Sequence, residues 1–180
     1  MIPSKVFLTK GVGKHKDKLQ SFEHALRKAG IAYCNIVRVS SILPPGCVVI
    51  SREKGLNLIE PGEIIYCVLS EGSTNEPNRL IVASIGIAIP SEKGQYGYIS
   101  EHHTFGQTEE VAGDYAEDLA ASMLASTLGI EFDLDIAWDE RKQVYKMEHK
   151  IVRTSNISQS AIGDKNGLWT TAVAAAIFIR

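Results

Sequence analysis

The chain has 180 residues, 44% hydrophobic and 22% charged, with 19 Lys and Arg against 21 Asp and Glu for a formal net charge of −2. That is the length and balance of one globular domain with a single sizeable core, and it excludes a protein held to nucleic acid or a membrane surface mainly by charge. Ser84 and Gly86 interrupt the best apolar run, Leu80–Pro90, so no stretch reads as a membrane span. Met1-Ile2-Pro3-Ser4-Lys5 lacks the apolar centre of a signal peptide. Cys34, Cys47 and Cys67 are odd in number, widely spaced and without a Cys-x-x-Cys pair, which fits reduced thiols in a cytoplasm.

Val6–Thr9 reads as a short strand and Gly11-Val12-Gly13-Lys14 as a loop. A helix is predicted from its N-cap Asp17 to its stop Gly30, with Leu19, Phe22, Leu26 and Ala29 on one face. Tyr33–Leu43 reads as extended, ended by Pro44-Pro45-Gly46 because neither proline can donate a ladder hydrogen bond. Cys47–Ser51 and Glu63–Leu69 are predicted strands, Gly55 and Pro61-Gly62 mark loops, and polar Glu71–Arg79 is a surface connection.

Leu80–Ile89 is the clearest strand. Ile81, Ala83, Ile85, Ile87 and Ile89 form one face, and Leu80, Val82, Gly86 and Ala88 share the other with Ser84, so both faces are expected to be covered. Gln95–His102 is a further strand. Thr108 caps a second helix in which Val111, Tyr115, Leu119 and Met123 recur at four-residue spacing before Gly129. Gln143–Thr154 and Leu168–Ile179 are the last predicted strands; Ala172, Ala174, Ala175 and Ala176 imply close packing, although they equally favour a helix. Many strands and two main helices, separated along the chain, predict an α+β fold of stacked layers in one domain, residues 1–180.

Chemistry concentrates in Asn35-Ile36-Val37-Arg38-Val39-Ser40-Ser41-Ile42-Leu43-Pro44-Pro45. Adjacent serines alone mean little. A pair at the end of an apolar strand, pinned by two prolines, can hold the Ser40 carbonyl at a fixed angle to the Ser41 hydroxyl and so favour intramolecular attack. A strand end whose serines satisfy backbone groups is the plain reading of the same segment. Elsewhere, Lys10, Lys14, Lys16 and Lys18 form a basic run expected on a solvated loop, and Gly11-Val12-Gly13-Lys14 lacks the spacing of a phosphate-binding loop. His102-His103 lacks zinc-enzyme spacing, and adjacent strand residues face opposite sides, so no metal is expected there.

Gly11-Val12-Gly13, Ser21-Phe22-Glu23-His24-Ala25-Leu26, Ala29-Gly30-Ile31 and Asn35 through Pro45, followed by Ile85–Pro90, Gly97-Tyr98-Ile99-Ser100-Glu101 and Ala172–Ala176, closely resemble the pyruvoyl-dependent arginine decarboxylase family. The resemblance implies a self-processing proenzyme cleaved between Ser40 and Ser41 into a small chain, 1–40, and a large chain, 41–180. Ser41 would form an ester with its preceding carbonyl, eliminate through dehydroalanine and end as a pyruvoyl group after loss of ammonia. That covalent cofactor would form an imine with L-arginine and accept electrons from the breaking carboxylate bond, giving agmatine and CO2 without pyridoxal phosphate or metal.

The resemblance also assigns Asn35 to processing and to the substrate site, and Glu101 to protonation after CO2 leaves, which calls for a partly desolvated cleft. Glu23 stands where the family has an aspartate that binds the guanidinium. A carboxylate there suits a bidentate pair, while a helix-surface ion pair with Arg27 is the other reading. Asn35 and Ser41 share strand parity but would lie roughly 20 Å apart in a straight strand. A sharp bend or a residue from a neighbouring copy is therefore required, in keeping with the family's trimer of four-layer helix-sheet-sheet-helix protomers. A decarboxylase for another amino acid, or an uncleaved assembly subunit, stands beside this reading.

Overall fold

In the computed structural model, which describes residues 2–129 and 151–180, the first strand runs on through the predicted glycine loop. Strand β1 spans Lys5–His15 because helix α1, Lys18–Ala29, lies directly against its glycines. A Cβ on Gly11 would stand 2.2 Å from the Ala25 carbonyl oxygen, and one on Gly13 would stand 2.0 Å from that of Ser21. These glycines permit close approach of two backbones rather than a turn. The same closeness selects small residues on the helix: Ser21, Ala25 and Ala29 are buried with Leu26, whereas Leu19, expected in the core, is 75% exposed. Asp17 caps α1 by accepting from the Gln20 N–H, and Gly30 ends it in the left-handed region at φ 82°.

Lys10 and Lys14 are thereby strand residues rather than parts of a solvated loop. Lys10 Nζ donates to the Ser158 carbonyl at 2.7 Å and lies 3.6 Å from the Glu109 carboxylate, while Lys14 lies 3.6 Å from Asp164.

The predicted extended run Tyr33–Leu43 is two short strands, β2 (Asn35–Arg38) and β3 (Ile42–Leu43), separated at Val39–Ser41. Strand β4 (Val48–Ile50) leads into a short helix α2 (Arg52–Leu56), capped by Ser51. Gly55 sits in that helix, not in a loop, because a Cβ there would meet the Phe7 ring at 2.2 Å. Then follow β5 (Ile64–Thr74), β6 (Leu80–Pro90), β7 (Gly97–Phe105), α3 (Glu109–Thr127), β8 (Ile151–Ile162) and β9 (Trp169–Ile179). β5 enters the stretch expected as a connection because Glu71–Thr74 still pair with β9, from Glu71 opposite Val173 to Thr74 opposite Thr170. Most of the predicted strand Gln143–Thr154 lies outside the described residues; its described end opens β8, which continues to Ile162.

The fold is α+β. A five-stranded sheet has the order β2-β5-β9-β1-β4, and a four-stranded sheet the order β3-β7-β6-β8. β9 is a strand, and its alanines fit because it lies between β5 and β1 with both faces buried: Ala172, Ala174 and Ala176 meet the second sheet, while Val173, Ala175 and Ile177 belong to the core under α1. Ile81, Ala83, Ile85 and Ile87 of β6 face the five-stranded sheet, and Ala88 on the other face packs with Ala120, Ala121 and Leu124 of α3. Both faces of β6 are covered, as its sequence predicts.

Helix α3 presents alanines, not its larger side chains, to the sheet. Ala112, Ala116, Ala120 and Leu124 are buried, whereas Val111 and Tyr115 of the predicted apolar stripe are 52% and 46% exposed. Gly86 explains the choice, because a Cβ there would stand 2.2 Å from the Ala116 carbonyl oxygen. Among the described residues, no helix is long and apolar enough to cross a membrane.

Candidate active site

The serine pair stands where the chain changes sheets. The Val39 N–H donates to the Cys67 carbonyl at 2.9 Å, the last tie to the five-stranded sheet; the Ile99 N–H donates to the Ser41 carbonyl at 2.7 Å, the first tie to the four-stranded one. Antiparallel pairing then sets Ile42 opposite Tyr98 and Leu43 opposite Gly97. Ser40 is exposed, Ser41 half-buried and Leu43 buried. The Pro44 carbonyl accepts from the Cys47 N–H at 3.1 Å and closes the turn that fixes the far side of the pair. Beside Ser40 lies a hollow of about 430 Å³, walled by Pro3, Val39, Ile42, Pro44, Tyr66 and Phe178.

Glu101 follows Ile99 by two residues on β7, pairs with inward-facing Ile85 and so shares its face. It lines a second cavity, of about 390 Å³, with Arg38, Ser70, Glu71, His102 and His103. Arg38 Nη2 donates to Glu71 Oε2 at 2.8 Å, and the Ser70 hydroxyl donates to the His102 carbonyl at 2.6 Å, tying β5 to β7 across the sheets. Glu101 itself is exposed in the single chain, so the desolvated cleft expected around it is not enclosed by this chain's described residues. The two histidines face opposite ways: the His102 ring leans on Tyr115 with centroids 4.5 Å apart, while His103 lies toward Gly72 of β5. Burial pushes the Cys47 and Cys67 thiols up to about 11, which makes both poor nucleophiles.

Ser40, Ser41 and Glu101 thus gather along the β3–β7 edge. Asn35 does not join them within one chain. The strand does break after Arg38, but Asn35 stays at the far end of β2, with Nδ2 donating to the Gly62 carbonyl at 2.9 Å and its N–H to the Glu63 carbonyl at 2.7 Å. Glu23 lies on α1, where Oε1 accepts from Arg27 Nε at 2.6 Å and Oε2 is 4.0 Å from His24 Nε2. Neither lines the cavities at Ser40 or Glu101. Sequence reasoning gave no role to Arg38 or Glu71. A lone cation inside the apolar run Asn35–Val39 was the available signal for Arg38; Glu71 offered none, being read as part of a connection.

The family model for pyruvoyl-dependent arginine decarboxylase matches residues 5–180. The chain belongs to this family. Its relatives include a probable pyruvoyl-dependent arginine decarboxylase of Chloroherpeton thalassium, 62% identical over 99% of this chain and 98% of that protein. Pyruvoyl-dependent arginine decarboxylase 2 of Methanosarcina acetivorans is 59% identical, with the same coverage of each chain. A pyruvoyl-dependent arginine decarboxylase of Methanococcoides burtonii is 58% identical over 99% of both. The family's name implies a covalent pyruvoyl cofactor, and the surroundings of Ser41 suit one. Residue 41 is half-buried, its carbonyl is fixed by Ile99, and among the described residues the walls of the neighbouring hollow bring no lysine or arginine to compete for a small carbonyl group.

Proposed function

We propose that the chain is a self-processing decarboxylase that cleaves between Ser40 and Ser41 and converts L-arginine to agmatine and CO2. The observation that carries this reading is the strand crossover, which pins Val39 to one sheet and Ser41 to the other. A segment fixed at both ends holds the Ser41 hydroxyl near the Ser40 carbonyl at little further entropic cost. Ser41 Oγ attacks that carbonyl carbon, the peptide C–N bond breaks, and the nitrogen takes the proton. Elimination across Cα–Cβ of residue 41 expels Ser40 as a carboxylate that keeps the Oγ atom. Addition of one water then releases the nitrogen as ammonia and leaves a ketone on residue 41.

When present, the pyruvoyl group supplies an electron sink for the breaking carboxylate bond. The chain's own residues do the rest. Glu101 holds a carboxyl proton on the face it shares with Ile99 and delivers it to the substrate carbon. Asn35 and Glu23, in the roles that the family resemblance gives them, act on a site completed by a neighbouring copy. This suits a cytoplasmic trimer of cleaved protomers, each a four-layer helix-sheet-sheet-helix sandwich with α1 and α3 as the outer layers. Arginine itself is the substrate favoured by the family. The feature that favours the second reading, a different amino acid, is Glu23 itself, one methylene longer than the aspartate the family has there.

Denaturing electrophoresis with intact-mass analysis tests processing. Pieces of roughly 4 and 15 kDa are expected from 40 and 140 residues, the larger one ammonia lighter than a chain starting with serine, together with agmatine formation from arginine. A single chain with no turnover overturns the reading.

A further inference from the structure

Cleavage would create a charge that the uncleaved chain does not contain: the carboxylate of Ser40. In the continuous chain, residue 40 is held from both sides, by the Val39 N–H on Cys67 and by the Ile99 N–H on the Ser41 carbonyl. Cutting the 40–41 bond removes the second tie. The new end then hangs from the single hydrogen bond of exposed Val39, and exposed chain ends held by so little fray.

Two environments adjoin that end. The hollow of Pro3, Val39, Ile42, Pro44, Tyr66 and Phe178 offers no cation among its described walls, and a carboxylate turned into it would lose hydration with no opposite charge from those walls. The other side carries Arg38, two residues back on the same chain, whose guanidinium already engages Glu71 in the cavity that contains Glu101. A guanidinium has five N–H donors in a planar fork and can serve two carboxylates at once. Among the described residues, Arg38 is the one lysine or arginine lining that cavity, against the acids Glu71 and Glu101. A third carboxylate nearby raises the demand on it.

We propose that Arg38 is a positioning residue that anchors the new Ser40 carboxylate after cleavage, sharing its guanidinium between that carboxylate and Glu71. The inference rests on the processing reading above. Arg38 holds the end of the small chain against the sheet edge and keeps it clear of the hollow beside residue 41. Glu71 is its competitor, so removing the Glu71 charge strengthens the anchor, whereas removing Arg38 abolishes it.

The test is digestion of native, processed protein with a broad-specificity carboxypeptidase, read as the mass of the 1–40 chain over time. In Arg38→Met, Ser40 and Val39 should be trimmed about fivefold faster than in the parent, the factor that a good exposed ion pair supplies. In Glu71→Gln, trimming should be as slow as in the parent or slower. If Arg38 served only to hold β2 through its bridge to Glu71, both variants would be trimmed faster alike, and that result overturns the proposal. Equal trimming in Arg38→Met and parent also overturns it. Should Arg38→Met remain uncleaved, the parent and Glu71→Gln decide: high salt must speed trimming of both, and salt-independent trimming overturns the anchor. A parent that stays a single chain instead overturns the processing reading, and this inference with it.

Discussion

Ser41 stands diagonally from Glu101 across the edge of the four-stranded sheet. Its carbonyl takes the Ile99 N–H at 2.7 Å, and Glu101 follows two residues later on the same face of β7. Diagonal neighbours of this kind lie about 7–8 Å apart at Cα. In the proposed reaction, that spacing would leave room for a small substrate carbon between a group on residue 41 and the Glu101 carboxyl.

Glu101→Gln follows from this geometry. The amide keeps the shape and a donor but has no acid proton, so turnover should fall by roughly 10²–10⁴-fold. Processing should continue, because Ser41 and its backbone ties are untouched. Single-turnover assays on fully cleaved protein measure the effect; a processed variant with the parental rate would assign the proton to another group.

Glu23→Gln separates the two readings of that residue. If Glu23 grips a guanidinium, losing its charge should raise KM for arginine by a factor equivalent to about 1.5–3 kcal/mol, with the yield of cleaved chains unchanged. Arg27→Ala should then leave KM equal or lower, since it frees the carboxylate now held at 2.6 Å. If the pair only decorates the helix surface, where such pairs contribute about 0.3–0.5 kcal/mol, arginine kinetics will match the parent in both variants. Substrate choice would then depend on other residues.

Periodicity made the centre of the fold legible and misread its close contacts. The alternating faces of β6 and the caps Asp17, Gly30 and Thr108 are local signals, and each appears as read. Gly11, Gly13 and Gly55 looked like turn markers because a sequence does not reveal that a helix or an aromatic ring will press on a strand. The same blindness assigned Leu19, Val111 and Tyr115 to the core, when the helix faces that press on the strand glycines carry mainly small side chains. The serine pair was legible because prolines and strand end are contiguous in sequence. Its relation to Glu101 needed the crossover between sheets, and Arg38 with Glu71 needed that same crossover to share a cavity.

Gly86→Ala tests the close-packing argument directly. Its added methyl would stand 2.2 Å from the Ala116 carbonyl oxygen, which also accepts from the Ser100 hydroxyl. Helix α3 would have to lift from both β6 and β7. Overpacking of this sort typically costs about 1–3 kcal/mol, and the β7 edge that carries Glu101 would shift with it. A lower unfolding temperature is expected, together with reduced turnover in whatever folds; unchanged stability would show that α3 has slack over the sheet.

Acid stability gives the last prediction, best measured on uncleaved Ser41→Ala so that one chain unfolds. Burial raises the Glu109 carboxyl, but the Ser160 N–H at 2.6 Å, the Ser160 hydroxyl at 2.8 Å and the Lys10 ammonium outweigh it, and its pKa falls below the ordinary 4.5. A carboxylate depressed in the fold contributes stability above its unfolded pKa and loses it as pH falls through the folded value. His102 is lowered from 6.5, by burial first and then by His103, against a hydrogen bond with the Gln107 side chain that raises it. The fold prefers its neutral ring, so unfolding gains a proton as pH drops below 6.5, and stability declines until the folded value is passed. Acidification should therefore lower the unfolding temperature in two stages, one beginning near pH 6.5 and one below pH 4.5. His102→Gln should flatten the first stage only, and Glu109→Gln the second only. Identical losses between about pH 7 and 5 in His102→Gln and its background would remove His102 from the account and leave the upper stage to another group.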